Sequence, residues 1–335
     1  MKSLDIIPFT GHSRFWLFLI NLLLLLFLSS CSSSDSPGTF TPQNNLEGKV
    51  FVFGAQVDGA GDLVLYINGT DLSGNPLTVA DLQTASVTVG DTPAYNNNQP
   101  ELEIIEVNDG DNFLSLSLLT DYSNSTDDEL DDIATLYEQL LDNLPLVYEA
   151  QVITFSSNYD LKLDWTDAFT DLSAIEAAVA LTHEPRDRTA LFDSMGFALE
   201  GDLIVDGDGL IERCRPAHML VVFTDGEENE SSIYTDKNIL TSLINDDAAT
   251  VIMLGTSTAD SAELLSLAGD HGAVVQVNNA ASLVAEVANW SLSLQNMVKL
   301  TLKASTGFAG ETVSITIGTQ TTAVVDPSQL LCTPQ

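Results

Sequence analysis

One carboxylate and two hydroxyl side chains, Asp121, Ser123 and Ser125, alternate along the chain in an Asp-x-Ser-x-Ser pattern. They follow an apolar run, residues 113–119, that has the length and composition of a buried strand. Hydroxyl and carboxylate oxygens are the ligands that hard cations prefer. The pattern alone is not specific, because an acidic, Ser-rich sequence produces it by chance and a Ser or Asp before a helix commonly serves as an N-cap. Its meaning depends on what else the chain contains.

Two further segments carry the same kinds of oxygen ligand. Residues 188–193 read Arg-Thr-Ala-Leu-Phe-Asp before a helical pattern, and an apolar run at 219–223 continues into Thr-Asp-Gly-Glu-Glu-Asn at 224–229. In order and separation the three segments resemble the von Willebrand factor A family, where they form the metal-ion-dependent adhesion site. The resemblance extends over residues 111–296.

The resemblance implies that five side chains bind one metal ion. These are Asp121, Ser123 and Ser125 from a first loop, Thr189 from a second and Asp225 from a third. It also implies that a Glu or Asp of a partner protein fills the remaining coordination position, so that binding depends on the metal. Mg²⁺ is the natural occupant, since it takes about six oxygens and keeps waters where the protein supplies too few. Ca²⁺ or Mn²⁺ could replace it, whereas zinc and copper favour His and Cys ligands that are absent from these segments.

Two acidic stretches near these segments have simpler interpretations. Glu227 and Glu228 either face solvent or adjust metal affinity from behind the ligands. Residues 206–212 look like part of a calcium loop, but Ile204 and Arg215 stand where an EF-hand requires carboxylates. An EF-hand is excluded, and a plain acidic turn is favoured over an irregular Ca²⁺ site.

Strand and helix patterns alternate through the middle of the chain. The predicted strands are 113–119, 147–155, 219–223, 251–254 and 273–277, with a short edge strand at 161–165. The predicted helices are 127–141, 174–181, 191–199, 238–244, 261–267 and 281–292. This alternation predicts an α/β fold of the Rossmann-like type: a doubly wound, mainly parallel sheet with helices on both faces and ligand sites at the carboxyl ends of its strands.

The α/β region, residues 111–296, is bracketed by β-prone segments at 48–110 and 297–335. We predict that these two segments pair into one small β-sandwich-like module, from which the α/β domain projects and folds alone. The alternative is two unrelated β appendages.

The amino terminus resembles a bacterial lipoprotein signal. Basic residues precede an apolar run at 15–28, too short to span a bilayer comfortably, and Leu-Ser-Ser-Cys follows at 28–31. The resemblance to the lipobox implies cleavage after residue 30 and lipid attachment to Cys31. Residues 31–47, rich in Ser, Pro, Thr and Asn, are predicted to form a flexible tether.

Ser32, rather than Asp, follows Cys31, which favours an outer-membrane location in a bacterial envelope. The alternative is an ordinary cleaved signal that leaves Cys31 as a free thiol. For the remaining cysteines, Cys214 and Cys332, a disulfide and two free thiols both remain open.

Composition narrows the function classes. With 48 acidic and 11 basic residues the formal net charge is −37, which opposes binding to nucleic acid. No Gly-x-Ser-x-Gly elbow or phosphate-binding loop occurs, so we expect no enzymatic activity. The leading interpretation is a surface lipoprotein that binds a partner protein through its metal. The alternatives are an envelope-assembly or structural lipoprotein whose metal serves stability and, last, a metal-dependent hydrolase.

Overall fold

A computed structural model describes residues 40–324, except 59, 83, 91, 97–101, 107–113, 145–147, 181–187, 202–208, 214, 227, 247–248, 304–311 and 318–319. The predicted signal peptide and the residues Cys31, Cys214, Glu227 and Cys332 lie outside this part of the chain. None of the helices in the described ranges has the length and apolarity needed to cross a bilayer.

The described elements alternate as the sequence predicts. The strands are β1 Gln43–Asn44, β2 Val50–Val57, β3 Leu63–Gly69, β4 Ser86–Val89, β5 Thr92–Asn96, β6 Leu102–Glu106, β7 Leu114–Asp121, β8 Tyr148–Phe155, β9 Tyr159–Asp167, β10 Ala217–Thr224, β11 Thr250–Gly255, β12 Ala273–Gln276, β13 Val298–Leu302, β14 Val313–Ile317 and β15 Gln320–Val324. The α-helices are α1 Val79–Leu82, α2 Leu130–Asn143, α3 Ala168–Val179, α4 Leu191–Glu200, α5 Lys237–Asp246, α6 Ser261–Ala268 and α7 Ala280–Ser293. Short 3₁₀ helices cover Asn124–Glu129, Leu210–Glu212 and Leu294–Asn296.

A mainly parallel sheet forms the centre of the α/β region. Strands β8, β7, β10, β11 and β12 pair in parallel in that order, and β9 and β1 add antiparallel edges. Strands β7, β8, β10 and β11 are buried along their whole length, because helices cover both faces of the sheet. Helices α2 and α7 contribute to the core on one face, and α4, α5 and α6 to the core on the other. The predicted fold class is confirmed.

Strands from the two sides of the α/β region pair with each other. Strand β13 pairs antiparallel with β3 and β6, and β14 pairs with β4. Strands β2-β3-β13-β6 continue the central sheet, which has eleven strands in the described ranges, and β5-β4-β14-β15 form a separate sheet of four. One core cluster, which includes Val52, Leu65, Val87, Leu300 and Ile315, draws on both sheets and joins them as a small sandwich.

The sandwich is continuous with the α/β region. Ala217 of β10 lies opposite Gly54 of β2, and a Cβ on Gly54 would stand 1.7 Å from the carbonyl oxygen of Pro216. Glycine is therefore needed for the two strands to approach. On the face of β2 that points away from the sandwich core, the Phe51 ring packs edge-on against Trp290 of α7 with ring centroids 6.4 Å apart. The two regions consequently share one hydrophobic core.

The structure differs from the predicted tether, residues 31–47, at its carboxyl end. Gln43 and Asn44 form β1, and Leu46 is 1% exposed within the core that contains Trp290. A two-residue strand and a single buried leucine give no recognisable signal in a stretch of mainly polar composition. Residues 43–47 thus belong to the folded unit.

Candidate metal site

The predicted site lies where two adjacent parallel strands end. Strand β7 ends at Asp121 and β10 ends at Thr224, and the register pairs Thr120 with Phe223 just before. The Thr224 hydroxyl donates a hydrogen bond of 2.7 Å to Asp121 Oδ2. Because β10 leads directly into Asp225, strand pairing brings the first and third predicted loops together.

The first loop is a tight turn stabilised by its own side chains. The backbone N–H of Ser123 donates to Asp121 Oδ1 over 2.8 Å, as in an Asx turn. The Thr126 hydroxyl lies 2.9 Å from both the Asp121 and the Ser123 carbonyl oxygens. The loop then continues as the 3₁₀ helix Asn124–Glu129, which presents Ser125 to solvent.

Hydrogen bonds join the first loop to the third. Ser123 Oγ lies 3.1 Å from Ser125 Oγ, and Ser125 Oγ donates to Asp225 Oδ1 over 2.9 Å. The third loop is in turn fixed by Thr258, whose hydroxyl donates to the Asp225 carbonyl oxygen over 2.6 Å. Four of the five predicted ligands, Asp121, Ser123, Ser125 and Asp225, are therefore linked directly.

The hydroxyl of Thr189, in the second loop, lies close to the cluster formed by the other four side chains. Thr189 precedes α4, and a Cβ built on Gly226 would lie 3.3 Å from Thr189 Oγ1 and 3.9 Å from Asp121 Oδ2. Thr189 Oγ1 and an Asp121 oxygen thus both line the space beside Gly226. The structure brings all five predicted side chains together, and their role as ligands stays a prediction.

Both carboxylates of the cluster are removed from water. Asp121 is fully buried and Asp225 is 5% exposed. Burial and, to a smaller extent, the nearby charge of Asp225 raise the pKa of Asp121 to about 6, although hydrogen bonds from Thr224 and Ser123 oppose the rise. Burial also raises the pKa of Asp225, against the hydrogen bond from Ser125. Two acids in one buried place destabilise each other's ionised form.

The donor set fits a hard cation. Within the described ranges, the ion pairs formed by Lys and Arg involve other acids, so neither Asp121 nor Asp225 has a basic side chain to balance it. A divalent cation would compensate both carboxylates, and the three hydroxyls would add neutral oxygen ligands. Nowhere in the part described do three or more His, Cys, Asp or Glu side chains form a group that could hold a metal. The cluster around Asp121 differs from such a group because it combines two carboxylates with three hydroxyls.

Comparison with known proteins identifies the α/β region. The family model described as von Willebrand factor type A domain matches residues 116–298, more than half of the chain. The chain belongs to the von Willebrand factor type A family. None of the curated proteins matches it.

Several solved structures are similar to this chain at low sequence identity. Proximal thread matrix protein 1 from the mussel byssus, solved with a zinc-occupied metal-ion-dependent adhesion motif, is 16% identical with a TM-score of 0.46 over 58% of this chain and 49% of its own. A von Willebrand factor type A protein from Catenulispora acidiphila is 13% identical with a TM-score of 0.43, over 75% of this chain and 51% of its own. This chain therefore spans about half the length of each of them. The conserved hypothetical protein BatB from Bacteroides thetaiotaomicron is 16% identical with a TM-score of 0.38, over 54% of this chain and 98% of its own.

Sequence reasoning missed the residues that support the predicted ligands. The hydroxyls of Thr224, Thr126 and Thr258 each donate a hydrogen bond to a predicted ligand residue. Thr224 and Thr126 stand directly beside predicted ligands in the chain, which is the one signal that could have marked them. Glu228, expected either to face solvent or to adjust metal affinity from behind the ligands, accepts hydrogen bonds from three backbone N–H groups.

Proposed function

We propose that this protein binds one divalent cation through Asp121, Ser123, Ser125, Thr189 and Asp225 and uses it to bind an acidic residue of a partner protein. The observation that carries the proposal is the convergence of two buried carboxylates with three hydroxyls at the carboxyl edge of the sheet. Mg²⁺ is the proposed occupant, with Ca²⁺ or Mn²⁺ as substitutes.

Each side chain has a distinct part in this proposal. Asp121 and Asp225 supply two negative charges, which at most neutralise a divalent cation. Ser123, Ser125 and Thr189 supply oxygens without charge, so the bound ion retains the capacity to accept a carboxylate oxygen from outside. Ser125 is exposed whereas the other four are buried, which indicates that the site opens to solvent on the side of the first loop.

The proposed location is a bacterial cell envelope, on the outer membrane, with a lipid on Cys31. Support comes from the lipobox-like residues 28–31 after an apolar run. Lipid attachment predicts that Cys31→Ser releases the protein from the membrane fraction.

A pull-down from envelope proteins with the soluble chain, lacking its first 31 residues, tests the binding function. We expect a partner to be retained with Mg²⁺ and released by EDTA. Asp121→Ala should abolish retention, because it removes a charged ligand. At pH 7 with EDTA present its melting temperature should be no lower than that of the parent, because the substitution also removes a buried ionised carboxylate. Asp128→Ala, which removes an exposed acid of the same loop region, is the matched control and should retain the partner.

The stabilising-metal alternative predicts a different result. If Mg²⁺ raised the melting temperature of the parent protein but EDTA left partner binding unchanged, the metal would serve stability and the adhesive proposal would be wrong.

A further inference from the structure

Glu228, in the segment after the third loop, holds several groups in place. Its Oε2 accepts hydrogen bonds from the backbone N–H of Phe192 over 2.8 Å and from the Ser231 hydroxyl over 2.7 Å. Its Oε1 accepts from the backbone N–H groups of Glu230 and Ser231, over 2.8 and 2.6 Å. Hydrogen bonds to an ionised carboxylate are stronger than neutral ones. One side chain thus ties the third loop to the first turn of α4.

The neighbouring residue Asn229 forms hydrogen bonds with both polar backbone groups of Thr189. The Thr189 N–H donates to Asn229 Oδ1 over 3.2 Å, and the Asn229 N–H donates to the Thr189 carbonyl oxygen over 3.1 Å. Asp193 of α4 adds a third connection, since its carboxylate accepts from the N–H groups of Ser232, Ile233 and Tyr234. Residues 228–234 are therefore fastened to the second loop and to the helix that follows it.

Thr189 depends on such support because its own segment has no regular structure. Residues 188–190 lie before α4 outside any helix or strand, and the predicted metal contact is a single hydroxyl oxygen. A ligand must lie within about 0.5 Å of its productive position to bind well. The Thr189 hydroxyl lies beside Gly226. Its position relative to the third loop therefore depends on the contacts between the two segments.

We infer that Glu228 is a positioning residue for the metal site, acting through Thr189. Its carboxylate fixes the start of α4 and the turn that carries Asn229, and together these place the Thr189 hydroxyl next to Asp121. This inference rests on the proposed function, because the position of Thr189 matters to a cation only if one binds there.

A double-mutant cycle on the affinity for Mg²⁺ tests the inference. Glu228→Gln keeps the size of the side chain but replaces one acceptor oxygen by an amide that faces N–H donors. We expect it to weaken Mg²⁺ binding by about tenfold, as is typical when a residue that orients a ligand is changed. In a Thr189→Ala background the same substitution should change Mg²⁺ affinity by less than about twofold, because the ligand on which it acts is already missing. Asp128→Asn, which removes one exposed charge near the same loops, is the control for electrostatics and should bind Mg²⁺ as the parent does.

A second measurement needs no metal. In EDTA, amide hydrogen exchange at residues 189–192 should be faster in Glu228→Gln than in the parent, while strands β7 and β10 exchange unchanged. Unchanged exchange together with unchanged Mg²⁺ affinity would overturn the inference, and so would equal losses of affinity in the parent and Thr189→Ala backgrounds. If the parent itself bound no Mg²⁺, the proposed function would fail first.

Discussion

Asp121 shows, at the scale of one residue, why a bound cation would stabilise this fold. Its carboxylate is fully buried, yet it accepts hydrogen bonds from Ser123 and Thr224, which favour the ionised form. Burial outweighs these bonds and raises the pKa to about 6. Without metal, the ionised carboxylate is a cost to the folded state near neutral pH.

The pH dependence of stability follows from this shift. The pKa of Asp121 in the folded protein lies above its ordinary value of 3.8, so between these pH values the folded state binds more protons than the unfolded state. The stability from this group is fully present below its ordinary pKa and is lost as pH rises through about 6. In EDTA we expect the free energy of unfolding to fall by roughly 3 kcal/mol in total, of which about 2 kcal/mol is lost between pH 4 and 7.

Urea denaturation in EDTA at pH 4 to 7 measures this effect. Asp121→Asn cannot titrate and is the matched control, so the difference between parent and variant isolates Asp121 from the many other acids. Parallel profiles for the two proteins would contradict the assignment of the shift.

The five ligand candidates came from the resemblance of three short segments to the von Willebrand factor A family, and the structure brings their side chains together. Their role as ligands stays a prediction. The supporting residues were not predicted. The hydroxyl of Thr258 donates to the backbone carbonyl of Asp225, far away in the chain, and such a bond leaves no pattern in a sequence that contains many Ser and Thr.

At the scale of elements, the fully buried parallel strands were the most predictable. Strand β9 was predicted only as residues 161–165 but extends over Tyr159–Asp167, because its side chains are mostly half-exposed and give a weak apolar signal. Helix α3 begins at Ala168 rather than at residue 174 and is kinked at Asp171. The 3₁₀ helix at 124–129 was not foreseen, since side-chain hydrogen bonds within the loop rather than apolar spacing define it.

The double-sided packing of β3 was also beyond the sequence patterns. All seven of its residues are buried: Leu65 faces the sandwich core, while Tyr66 faces the core shared with α7. A continuous apolar strand does not reveal which elements cover its two faces. The domain boundary predicted at residue 110 therefore separates segments that share one hydrophobic core.

A fragment limited to residues 111–296 tests this packing. The sequence predicts that it folds alone, but the loss of Phe51 and its neighbours would expose Trp290, which is 1% exposed in the whole chain. We expect the fragment to melt at a clearly lower temperature than residues 41–335, or without a cooperative transition. Equal melting temperatures by calorimetry would show that the sandwich contributes no stability to the α/β region.

At the scale of the whole molecule, the net charge and the proposed metal site have opposite effects on the binding of an acidic partner. A net charge of −37 repels acidic partners, yet the proposed partner offers a carboxylate. A cation held at the carboxyl edge of the sheet would offset the charge of Asp121 and Asp225 there and still accept an oxygen from outside. The composition gives the net charge, and the resemblance of three short motifs implies the acidic partner, whereas only the fold shows that the two buried acids lie together.

Anomalous diffraction from crystals of the soluble chain grown with Mn²⁺ tests the central claim most directly, because it locates the ion without reference to any partner. We predict one strong peak at the ends of β7 and β10, within coordination distance of Asp121, Ser123, Ser125, Thr189 and Asp225 either directly or through a bound water. No peak there at saturating Mn²⁺, or a peak only at other acidic side chains, would contradict the account.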